Sequence, residues 1–143
     1  MKLVTVCAVA ATALLGAGST AATAEARVKP IVTVVRHGGL CMTGMECRDV
    51  LRITNTTISG AGLVPRLLRP SERRALLRAV RKLDIGTIRA HRFTGTCPIA
   101  YDGAESIYRF RGFAQALASC TYDLRQVQAV RLTERLLASL KPR

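Results

Sequence analysis

The string Val34-Val35-Arg36-His37-Gly38 sets an imidazole beside a guanidinium at the end of a β-branched run. An imidazole that accepts a phosphoryl group needs a nearby cation to tolerate the incoming anion, so phosphoryl transfer is the first chemistry these residues suggest. Arg74, Arg78, Arg81 and Lys82 form a second group, three and four residues apart. On a helix that spacing makes one cationic face, with arginine offering bidentate bonds to phosphate or carboxylate. The same residues also suit an ordinary solvated face. Cys41, Cys47, Cys97 and Cys120 are the third group. No C-x-x-C pair is present and His37 and His91 do not stand at finger spacing, which argues against zinc. Asp102 and Glu105 flank a turn signal and do not read as two carboxyls facing across a cleft. With no G-x-S-x-G or H-E-x-x-H string either, the expectation is a protein without catalytic residues, cofactor or metal.

The elements that must hold these residues lie downstream of an export signal. Met1 and Lys2 precede an uncharged run from Leu3 to Gly18, followed by small residues from Ser19 to Ala24. That order predicts a cleaved signal peptide over 1–26, with the cut after Ala24 or Ala26, and a single secreted domain over 27–143. The apolar run is too short and too rich in alanine and glycine for a membrane span, and nothing later in the chain is apolar enough for one. Removing Cys7 leaves four cysteines, an even number that in an oxidising compartment reads as two disulfides with three possible pairings. Cys41–Cys47, closing a small loop, and Cys97–Cys120, joining distant elements, are preferred.

The chain has 22 Lys and Arg against 9 Asp and Glu, a formal net charge of +13 over 143 residues. A secreted or envelope protein this basic is drawn to acidic envelope polymers or to an acidic protein. Nucleic-acid binding usually adds aromatic stacking platforms, and the few aromatic residues read as core or turn positions, so a dedicated nucleic-acid role is not expected.

Along the mature chain, Val28 to Arg36 and Asp49 to Ile58 are rich in β-branched residues and predict two strands around a cysteine loop. Pro70-Ser71-Glu72 opens a helix whose apolar stripe is Leu76, Leu77, Val80 and Leu83, with Gly86 as a stop. Ile88 to Thr94 is expected as a third strand and Glu105 to Arg111 as a fourth, the latter placing Tyr108 and Phe110 on one side. Phe113 to Cys120 is expected as a fifth strand. Leu124 to Leu140 is expected as a second helix, buried through Val127, Val130, Leu136, Leu137 and Leu140. The predicted fold is α+β, β-β-α-β-β-β-α, an antiparallel sheet of about five strands with two helices packed on one face and two disulfides.

Two resemblances bear on function. Val34 to Gly38 resembles the histidine phosphatase signature, which implies His37 as phosphoryl acceptor and Arg36 as phosphate ligand. That family also uses a second histidine near the chain end, further arginines and a parallel sheet, whereas His91 here stands between Ala90 and Arg92. The Arg36-to-Gly39 strand end, the leucine-rich stretch Leu76 to Leu83, Asp102-Gly103 before an aromatic strand and the Leu136 to Leu140 helix end are together similar to the emfourin family. Those small bacterial proteins inhibit thermolysin-type metalloproteases. The signal peptide, the four cysteines and the Cys41–Cys47 insertion depart from that family's pattern. The resemblance implies an inhibitor that presents a rigid loop to a secreted protease or another extracellular protein. The residues expected at the contact are His37, Gly38, Gly39, Met42 and Met45, with Arg74, Arg78, Arg81 and Lys82 as the alternative, charge-driven surface.

Overall fold

The β-branched run forms the strand β1 (Val32–Gly38) and lies in the interior of the sheet. The structure, a computed structural model, describes residues 29–39 and 47–142. The expected signal peptide, Cys41, Met42 and Met45 therefore lie outside the described residues. One flank of β1 pairs antiparallel with β2 (Arg48–Ile53), and the other with β6 (Ala104–Phe110). The strands β3 (Thr57–Gly60) and β5 (Arg66–Leu67) extend the β2 side, and β7 (Leu117–Ala118) closes the β6 side. The six-stranded order is β5-β3-β2-β1-β6-β7. A separate two-stranded ladder joins β4 (Leu63–Val64) to β8 (Lys141–Pro142), tying the chain end to the middle.

The pleat sends alternate side chains to opposite faces. Val32 and Val34, Leu51 and Ile53, Ile58, Tyr108 and Phe110 are all buried on one face. The helices α1 (Pro70–Arg81) and α3 (Gln128–Ala138) cover that face and pack against each other. Leu76 and Ala79 from α1 and Val130, Leu136 and Leu137 from α3 enter the same core. The start of α1 follows from its residues. Pro70 has no N–H to satisfy, and the Glu72 carboxylate accepts the Arg69 N–H at 2.9 Å. Arg66 grips the same carboxylate at 3.0 and 3.1 Å and holds it below the ordinary value for Glu, more than offsetting partial burial.

The α+β class and the antiparallel sheet with α1 and α3 on one face agree with the sequence; several element boundaries do not. The expected strand Asp49–Ile58 breaks at Thr54. Its hydroxyl accepts the N–H groups of Thr56 and Thr57 at 3.2 and 3.0 Å and turns the chain into the β2–β3 hairpin. The expected strand from Ile88 to Thr94 begins instead as a short helix, α2 (Ile85–Ala90). Asp84 caps it, accepting the N–H groups of Gly86 and Thr87, and is itself held below the ordinary Asp value by Thr87 and Gly86. Gly86, expected to end the preceding helix, lies in the first turn of this one. The expected strand from Phe113 to Cys120 shrinks to Leu117–Ala118, and the helix expected from Leu124 opens as a 3₁₀ turn, Leu124–Gln126, before α3 begins. Among the described residues there are six strands in the main sheet and three α-helices. Cys97–Cys120 is bonded as expected, with Cα atoms 5.2 Å apart. The second expected bridge involves Cys41, outside the described residues. No described helix is long and apolar enough to cross a membrane.

Candidate functional site

The end of the sheet where β1 turns into β2 is built by backbone geometry. Pairing continues to His37 opposite Arg48, and the Gly38 N–H reaches the Cys47 carbonyl at 3.0 Å. Gly38 and Cys47, on either side of the residues 40–46 that lie outside the described ones, are thereby held side by side. Gly38 has φ +88° and Gly39 φ +101°, left-handed values that favour glycine. A Cβ on Gly38 would also stand 2.8 Å from the Gly103 carbonyl. These glycines therefore position the surface through their backbone.

What the close approach at Gly38 brings in is a 3₁₀ turn, Pro98–Tyr101. Cys97 precedes it and is bonded to Cys120. Gly103 N–H closes the turn on the Pro98 carbonyl at 2.8 Å, and Asp102 takes φ 57°. Gly103 has no room for a Cβ, which would stand 2.6 Å from that of Pro98. The braced turn holds two apolar side chains toward solvent: Ile99, 40% exposed and lying against Gly38, and Tyr101, 75% exposed. The turn signal Asp102-Gly103 was legible in the sequence; the exposure of Ile99 and Tyr101 beside the hairpin was not.

Arg36 and His37 point to opposite sides of the sheet. His37 Nε2 meets Glu105 Oε2 at 2.8 Å on the open face, while Arg36 turns under α3 and bonds Glu134 Oε2 at 2.6 Å. The guanidinium that would hold a phosphate on His37 is on the wrong side, and a carboxylate occupies the imidazole's near face. His91 lies elsewhere, after α2, with Nδ1 2.9 Å from the Thr87 carbonyl.

Arg74, Arg78, Arg81 and Lys82 are all exposed along α1 and its C-terminal end. None of the four ion pairs among the described residues uses them. Glu72, the acidic residue of α1, is already taken by Arg66. These four cations thus lie along the exposed side of α1 and its C-terminal end, and Lys82 also lines a cavity of about 250 Å³ with Asp84 and His91.

Sequence reasoning missed the junction of α3 with the sheet. Tyr108, 4% exposed, donates its hydroxyl to Glu134 Oε1 at 2.8 Å, and Arg36 takes the other oxygen. Burial, then the Glu134 charge, pushes the Tyr108 hydroxyl well above its ordinary value, so it stays protonated as a donor. Beside this network lies a cavity of about 710 Å³ between α3 and the β6–β7 side of the sheet. Phe93, Tyr122, Leu124 and Val130 supply apolar wall, and Asp123, Arg125, Arg131, Glu134 and Arg135 supply charge. Arg125 grips Asp123 at 2.8 and 2.7 Å and holds its carboxyl down at about 2.

Comparison of the chain with protein-family models, with curated proteins and with solved structures gave no match.

Proposed function

We propose that the protein is an exported, non-catalytic binding protein that docks another protein against the hairpin end of its sheet. The observation that carries this reading is the outward-facing Ile99 and Tyr101 on a turn braced by Cys97–Cys120 and seated against Gly38. Aromatic residues dominate binding hot spots, and a surface ordered before contact loses less entropy on docking. The similarity to emfourin-type inhibitors supports a finer reading, in which the partner is a secreted metalloprotease.

The test is capture of partners from culture medium by the oxidised protein, compared with the I99S/Y101S variant. The variant is expected to bind the captured protein at least about thirtyfold more weakly, as for a hot-spot pair. L67S supplies the control, because Leu67 is 76% exposed on β5 at the opposite edge of the sheet. Equal binding by I99S/Y101S, or equal loss in L67S, contradicts the proposal.

A second reading rests on α1. Arg74, Arg78, Arg81 and Lys82, in no ion pair among the described residues, suit an acidic envelope polymer, bound by charge and weakened by salt. R74Q/R78Q/R81Q/K82Q is expected to elute from a dextran sulfate column at clearly lower salt than the parent. Unchanged elution removes this surface from the account.

A further inference from the structure

We propose that the cavity between α3 and the β6–β7 side of the sheet binds a small amphipathic carboxylate, with its apolar body inside and its anionic head on Arg131 and Arg135. At about 710 Å³ the space lies within the range of small-molecule sites, and it joins an apolar wall to five charged residues. The charges around it decide the ligand. Glu134 is matched by Arg36 and hydrogen-bonded by Tyr108. Asp123 is matched by Arg125 through two bonds. Both acidic groups of the wall are therefore satisfied from within the protein. Arg131 and Arg135 remain, exposed and absent from every ion pair among the described residues.

These two arginines stand one helical turn apart on α3, as neighbours at i and i+4. Two adjacent guanidiniums at the border of an apolar space fit a carboxylate, which accepts from both, better than a neutral or cationic head. The helix fixes the spacing of the head site, and Phe93, Tyr122, Leu124 and Val130 receive the tail. Phe93 is held in place because its N–H bonds the Thr121 carbonyl at 3.2 Å, on the chain that leaves Cys120. The cavity touches the Pro98–Tyr101 turn through Pro98, but neither Ile99 nor Tyr101 lines it, and the proposal does not depend on protein docking there.

The probe is dodecanoate, titrated below its micelle concentration into the oxidised protein and followed by calorimetry and amide chemical shifts. Saturable binding is expected, with shifts at Phe93, Leu124 and Val130. Acetate, which has the head alone, and dodecyltrimethylammonium, which has the tail with the opposite charge, should both fail to saturate. R131E/R135E is expected to lose at least about tenfold in dodecanoate affinity and to gain binding of dodecyltrimethylammonium. R131K/R135K keeps the charge and is expected to retain most of the affinity. Because both arginines are exposed, neither exchange opens the core. No binding of dodecanoate overturns the proposal, as does equal binding by R131E/R135E or by the ammonium probe.

Discussion

Leu76→Ala is expected to cost about 3 kcal/mol of folding stability, because it empties a position with no exposed surface in the core. For a domain of this size that corresponds to a melting midpoint lower by about 10 °C. The reason is specific to α1. Of the helix's residues, Leu76 and Ala79 are buried, while Leu77 and Val80 pack only partly against the core. Ala79 has little to lose, so Leu76 is the main anchor of the helix. The matched comparison is Leu77→Ala, which removes the same atoms from a half-buried position and should cost clearly less. A thermal or urea melt in which both variants lose the same stability contradicts the placement of α1.

The second large effect belongs to the disulfide. Cys97 and Cys120 are 23 residues apart, and a crosslink of that span restrains the unfolded chain by about 3 kcal/mol in the loop-entropy description. C97S/C120S is therefore expected to melt well below the parent. It should also weaken partner capture, because Cys97 begins the turn that carries Ile99 and Tyr101. The two effects are separable. Measured well below the variant's melting midpoint, where it is folded, the residual loss of binding reports on the order of the turn alone. Unchanged stability together with unchanged capture removes the brace from the account.

The parts of the fold that the sequence made legible are those encoded by local periodicity or by one strong pair. The β-branched run predicted β1, the Leu76–Leu83 stripe predicted α1, and cysteine count and separation favoured Cys97–Cys120. The failures have local physical causes too. Ile88 to Thr94 was expected as a strand, but Asp84, whose two hydrogen bonds to backbone N–H groups start α2, makes Ile88 helical. Thr54 was read as a strand former, yet its hydroxyl competes for backbone N–H groups and makes a turn.

The candidate sites were less legible because they depend on long-range placement. Arg36 and Glu134 are 98 residues apart, and Tyr108 and Glu134 are 26 apart. Nothing in the spacing of these residues announces that α3 crosses β1 and β6. The strand alternation did carry one usable signal. Adjacent residues in a strand face opposite ways, so Arg36 and His37 cannot share a face once β1 is paired on both sides. The turn signal at Asp102-Gly103 was legible, but the display of Tyr101 beside Gly38 needed the sheet register that sets Gly38 opposite Ala104.

The hairpin end of the sheet is the surface proposed to meet another protein. Amide hydrogen exchange of the protein, alone and with its captured partner bound, tests that directly. Slowed exchange concentrated at Ile99 to Gly103 and at Gly38 and Gly39, with α1 unchanged, is the predicted result. Slowed exchange along Arg74 to Lys82 with none around Tyr101 contradicts it.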